Sequence, residues 1–159
     1  MRLLCCLDGS NTERISHAVT AFLPSEQLTI GLLYVIDSGP HEDIGLQRER
    51  FLRPHKLGPA RREQMRAAEQ SSAQEILDEG LRYFPGAETI RREGRPEREI
   101  VNFAAEWNAD LIVICPRSPQ SDGPTLGPRS VGHVARFVLD HAPCAVLLVR
   151  APVKKGFPM

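Results

Sequence analysis

The hydrophobic pattern alternates between short unbroken runs and helically spaced stripes. Leu3 to Leu7 is an apolar run that stops at Asp8-Gly9-Ser10, a turn signal. Behind it Ile15, Ala18, Val19 and Phe22 recur at i, i+3, i+4 and i+7. A strand feeding a helix is predicted. Ser10 followed three residues later by Glu13 reads as a capping box for that helix, and Pro24 stops it. Leu28 to Ile36 is a second strand-length run, ending in Asp37-Ser38-Gly39-Pro40. No apolar period follows until about Arg61. From there to Phe84, Met65, Ala68, Ile76, Leu81 and Phe84 share one broad helical face, which Pro85-Gly86 ends. Ala87 to Arg91 is a strand candidate. Gly94-Arg95-Pro96 opens a helix with Glu97 and Glu99 in its first turn, Ile100, Phe103, Ala104 and Trp107 as its stripe, and Asn108 at its end. Leu111 to Cys115, bounded by Asp110 and Pro116, suits a strand buried on both faces. Past a loop rich in Pro, Ser and Gly, Val131, Val134, Ala135 and Val138 form a stripe capped by Ser130. Ala145, Val146, Leu147, Leu148 and Val149 make the last strand.

Strands alternating with helices imply right-handed crossovers, hence a single-domain α/β fold. The expected architecture is an open parallel five-stranded sheet with helices on both faces, over residues 1–150, with 151–159 as a C-terminal tail. In such sheets a ligand crevice lies beyond the carboxyl ends of the strands, at the point where the strand order switches direction. That singles out the loops at Asp8 to Asn11, from Asp37 onward, and at Cys115 to Ser130.

Composition narrows the class. At 159 residues, 42% hydrophobic and 25% charged, the chain has ordinary globular composition, which excludes disorder, collagen and a disulfide scaffold. Twenty basic residues balance twenty acidic ones, so no net charge steers the chain toward nucleic acid or a membrane surface. No signal-peptide stretch follows Arg2. Cys5, Cys6, Cys115 and Cys144 sit in or beside apolar runs without metal spacing, as core thiols of a reducing compartment would. A cytoplasmic location and the absence of a metal site are expected.

Five segments together carry a resemblance. They are Leu7-Asp8-Gly9-Ser10, the strand end Tyr34-Val35-Ile36-Asp37, and Gly94-x-Pro96 with Ile100. The fourth runs from Ala104-x-x-Trp107 through Ala109-Asp110-Leu111-Ile112-Val113, and the last joins Gly132, Val134 and Val138 to His141-Ala142-Pro143-Cys144-Ala145-Val146-Leu147. In this order and spacing they resemble the universal stress protein family over nearly the whole chain. The resemblance implies strand order 3-2-1-4-5, a homodimer formed through the last strand, and a regulatory role in the stress response, with ATP or AMP bound in some members. No cofactor is required.

In nucleotide-binding members two glycines precede a third that is followed by Ser or Thr. Glycine lets backbone N–H groups approach phosphate, and the last pair opens a helix whose N-terminus favours anions. Here Gly132 matches the third glycine, but His133 replaces the Ser or Thr. Counting back from Gly132 puts Asp122 and Pro119 at the earlier glycines. Aligning from the fourth strand puts Cys115 and Ser118 there instead, with four extra residues in the loop. By the same resemblance, Asp8 matches the acidic residue that contacts ribose and Val35 the position whose backbone meets adenine. The nucleoside half of the site is therefore better kept than the phosphate half.

Each residue also has a plainer reading. Asp8 is equally a turn residue leading into a helix, with Gly9 and Ser10 completing that turn. Arg117 and Arg129 either replace the lost glycine contacts with bidentate guanidinium bonds or merely keep the loop soluble. His133 either donates to an anion or points to solvent. Cys115 is a crevice-side redox thiol or a buried core thiol. Arg48 to Arg66 holds seven basic residues against Glu49 and Glu63, read as a solvated loop running into an exposed helix face. Gly123 to Ser130 lacks the lysine of a phosphate-binding P-loop, and no catalytic constellation stands out. The expectation is a homodimeric, non-enzymatic regulatory module with an unknown protein partner. Its adenine-nucleotide site is degraded and binds ATP or AMP weakly or not at all. The alternative is a genuine ATP or AMP binder rescued by its loop arginines.

Overall fold

Leu3, Leu4, Cys5, Cys6 and Leu7 are all buried although they point alternately to opposite faces, so the first strand must be covered on both sides. The computed structural model describes residues 1–38, 58–116 and 131–151. Its strands are β1 (Arg2–Leu7), β2 (Thr29–Asp37), β3 (Glu88–Gly94), β4 (Leu111–Ile114) and β5 (Ala145–Leu148). The described helices are α1 (Thr12–Phe22), α2 (Pro59–Tyr83), α3 (Pro96–Glu106) and α4 (His133–His141). All strands are parallel in the order β3-β2-β1-β4-β5. β1 stands at the centre, Leu3 opposite Ile30 of β2 and Leu111 of β4. The fold and strand order expected from the sequence are those observed.

Two apolar layers follow from the period of the strands. Leu3, Cys5, Leu7, Leu32 and Val113 pack against Ile15 and Val19 of α1, Leu77 of α2 and the adjoining Phe84. Leu4, Cys6, Leu33, Val35, Ile112 and Ile114 pack on the other face against Ile100 and Ala104 of α3, the adjoining Trp107, and Ala135 and Val138 of α4. At the amino edge, Arg2 and Asp110 exchange backbone and carboxylate hydrogen bonds at 2.8 and 2.7 Å, and the Arg2 guanidinium lies 4.1 Å from the Trp107 ring. Those contacts tie the start of β1 to the turn before β4.

Several boundaries differ from the hydrophobic pattern. The buried seam of α2 is Ala73, Leu77 and Gly80, while Met65 and Ala68 are exposed and Ile76 and Leu81 are only partly buried. The first half of this 25-residue helix lies outside the core, so apolar residues there have nothing to pack on. Ser10 is not the cap of α1. Asn11 is its N-cap residue and the helix starts at Thr12. The cap of α4 is Gly132, not Ser130, which lies outside the described residues, and Val131 precedes that helix. Gly94 closes β3 rather than opening α3. β5 ends at Leu148, although the Val149 N–H still donates to the Ile114 carbonyl at 2.8 Å.

Burial pushes the Cys5 thiol up to about 12 from its ordinary 9.0, with Cys115 adding to the effect, and burial moves Cys6 in the same direction. A thiol held neutral in the fold but free to ionise when unfolded stabilises the protein below pH 9.0, and that contribution is lost as pH rises toward about 12. Urea midpoints measured from pH 7 upward should therefore fall above pH 9.0, and fall less in Cys5→Ala. An identical alkaline decline in both proteins would contradict this.

Candidate functional site

The sheet leaves a crevice of about 440 Å³ beyond the carboxyl ends of β1, β2 and β4. β1 and its following turn contribute Cys6, Leu7, Asp8 and Asn11, and β2 contributes Leu33, Tyr34, Val35 and Asp37. Ile114 and Cys115 come from the end of β4, Pro96, Glu97 and Ile100 from α3, and Val131, His133, Val134 and Ala135 from the start of α4. It opens between β1 and β4, where the chain order turns from leftward to rightward across the sheet.

The turn after β1 is held by side chains. The Asp8 carboxylate accepts the Ser10 N–H at 2.8 Å and the Ser10 hydroxyl at 2.9 Å. Asn11, only 2% exposed, accepts the Asp8 N–H at 3.0 Å and donates its amide to the Cys6 carbonyl at 3.0 Å. Gly9 has φ of +92°, the left-handed region that favours glycine, and an added Cβ would stand 3.2 Å from Ile76 Cδ1. Asp8 thus keeps its turn role while its exposed side chain lines the crevice. Gly9 and Ser10 shape the turn but are not among the described lining residues. Asn11 was missed in the sequence, where its place directly before a helix stripe was the available signal.

At the opposite wall, α4 starts from Gly132 at φ 86°, again a conformation suited to glycine. His133 Nε2 stands 3.4 Å from Glu97 Oε1, the imidazole 75% exposed and the carboxylate side chain only 10%. The pattern had placed Glu97 in a helix start without giving it a partner, because the two residues meet only through the fold. Cys115 lies at the crevice floor, 7% exposed. Burial pushes its thiol up and Asp8 adds to this, against the opposing pull of the Arg14 guanidinium and the Asn11 amide. The net direction favours the neutral, core-thiol reading over a reactive thiolate. Tyr34 is likewise pushed up, first by burial and then by Asp8, Glu69 and Asp37.

The described lining carries the carboxylates of Asp8, Asp37 and Glu97 and no Lys or Arg, with the Arg14 guanidinium bonded to the Cys115 thiol beside it. Of the residues singled out in the sequence, Asp8, Val35, Cys115 and His133 converge on the crevice, with Gly132 at its rim helix. Arg117, Ser118, Arg129 and Ser130 lie outside the described residues, as does residue range 48–57 of the basic segment. Arg61, Arg62 and Arg66 are exposed on α2, and Arg66 stands 3.7 Å from Glu93. Among the described residues no helix is long and apolar enough to cross a membrane, and no cluster of three His, Cys, Asp or Glu side chains forms a metal site. On the far edge of the sheet β5 pairs only with β4 among the described strands, with Ala145 exposed and Val146, Leu147, Leu148 and Val149 half-buried.

Comparison with known proteins places these features. The model of the universal stress protein family matches residues 1–150. The universal stress protein Sll1388 of Synechocystis is 31% identical over 81 residues, a match that spans 51% of this chain and about half (47%) of that protein. The crystal structure of hypothetical protein PH0823 is 26% identical with a TM-score of 0.57, covering 97% of this chain and 98% of that one. An Arabidopsis thaliana universal stress protein family protein, solved with AMP bound, is 15% identical with a TM-score of 0.60, covering 96% of this chain and 92% of that one.

Removing the Asn11 side chain takes that partner from the Asp8 N–H and from the Cys6 carbonyl. Asn11→Ala should lower unfolding stability by about 1–3 kcal/mol in urea titration. A loss too small to resolve would show that the turn does not depend on Asn11.

Proposed function

Because the chain belongs to the universal stress protein family, we propose that it is a non-enzymatic regulatory module of the stress response. In this reading its crevice takes the nucleoside part of an adenine nucleotide and holds the phosphates weakly or not at all. One observation carries the reading: three carboxylates line the described wall, against the single Arg14 guanidinium bonded to Cys115. A polyphosphate entering such a wall meets like charge, whereas adenosine meets only polar and apolar groups.

The crevice volume, about 440 Å³, suits a small ligand. Asp8 would accept a hydrogen bond from a ribose hydroxyl, and the backbone at Val35 would meet the adenine edge. The Arabidopsis relative solved with AMP supports the ligand class. Cys115 and Ser118 would stand where glycines otherwise bring backbone N–H groups to phosphate, and a Cβ there holds the phosphate off. By the family resemblance Arg117, Arg129 and Ser130 would belong to the phosphate side, with Gly132 and His133 at the start of α4. The module would comprise residues 1–150, act in the cytoplasm, and pair with a second copy through Ala145 to Val149. An apolar edge strand invites such pairing, and a two-fold axis satisfies both edges at once.

Calorimetry on the purified protein should detect adenosine binding, with ATP no tighter than adenosine. Two lost charge-assisted hydrogen bonds put ATP roughly two to four decades below a glycine-bearing site. Asp8→Ala should weaken adenosine by about tenfold to a hundredfold. Micromolar or tighter ATP binding would overturn the degraded-site reading. Sedimentation should show a dimer at micromolar concentration that charged substitution at Leu147 dissociates, and a wild-type monomer would refute the strand-pairing model.

A further inference from the structure

We propose that Glu97 is the residue that sets this crevice against phosphate, its own carboxylate standing where a ligand's phosphate would bind. The proposal deepens the crevice reading above and rests on it. Pro96 starts α3 with a backbone angle its ring imposes, and Glu97 follows in the first turn. The side chain is 10% exposed and lines the crevice. A carboxylate that deep in a wall is costly unless something compensates it. Here the positive N-terminal end of α3 lies behind it, and the start of α4 lies in front through His133 at 3.4 Å.

α4 has no acidic residue in its own first turn, so the negative charge at its start is supplied by Glu97 from the neighbouring helix. His133 is 75% exposed and Glu97 is not, so the pair keeps the carboxylate in the crevice rather than drawing it into solvent. A helix start is the natural seat of a phosphate, and this seat faces a fixed, buried negative charge. Adenosine has no group that competes for it. The crevice is thereby selective for the neutral nucleoside, or for a ligand whose anionic end points elsewhere, and Glu97 is its specificity-determining residue.

The test titrates adenosine, ATP and inorganic tripolyphosphate into wild type, Glu97→Gln and Glu97→Ala, with thermal melts confirming that each is folded. Both variants should gain about tenfold or more for ATP and for tripolyphosphate, a larger gain than any for adenosine. Unchanged or weaker ATP and tripolyphosphate binding in the variants overturns the proposal, whatever adenosine does. If adenosine fails to bind wild type but both variants gain tripolyphosphate, the nucleoside reading falls and the role of Glu97 as a barrier to anions stands. Should Glu97→Ala unfold, the isosteric Glu97→Gln decides alone.

Discussion

A parallel pair of strands cannot be joined by a tight turn, and that constraint shapes the whole molecule. Each of the first four strands must be followed by a crossover long enough to return to the same edge, and α1, α2, α3 and α4 lie on these crossovers. The helices cover both faces, so β1 is buried from Leu3 to Leu7 and the two apolar layers are built on its alternate residues. All carboxyl ends then emerge on one side. Because β1 is flanked by β2 and β4, the chain leaves it in opposite directions, and a crevice opens there without any residue being chosen for a ligand.

What such a crevice does is decided by its wall. This one joins a side-chain-locked turn at Asp8 and Asn11, a neutral thiol at Cys115, and a buried carboxylate at Glu97. A glycine-rich wall would expose backbone N–H groups to an anion. Here the Cys115 side chain and the Glu97 carboxylate stand at the crevice, and in the proposed reading they turn an anion-friendly helix start against phosphate. A fold of this kind leaves ligand preference to the side chains of the wall.

The parts of the structure governed by local pattern were legible in the sequence. The runs Leu3 to Leu7 and Leu111 to Ile114 are strands because continuous apolar residues suit burial on both faces, and the stripe at Ile100 and Ala104, which ends on the C-cap Trp107, is a helix face by spacing alone. Where two polar residues competed for one role, the pattern misled. Ser10 with Glu13 fits a capping box, but the Asp8 carboxylate takes up the Ser10 hydroxyl and Asn11 becomes the N-cap residue. The face of α2 was misread because only tertiary position decides which half of a long helix has a core beneath it. The pairing of Glu97 with His133 was invisible, since it joins the starts of two helices that sequence spacing does not relate.

The central claim is that the crevice at the carboxyl ends of β1, β2 and β4 is a nucleoside site. Amide chemical-shift mapping during an adenosine titration tests it most directly. The account predicts saturable shifts concentrated at Asp8, Val35, Cys115 and the first turn of α4, with β5 and the outer face of α2 undisturbed. Shifts scattered over the surface, or none at those crevice amides at saturating adenosine, would contradict it.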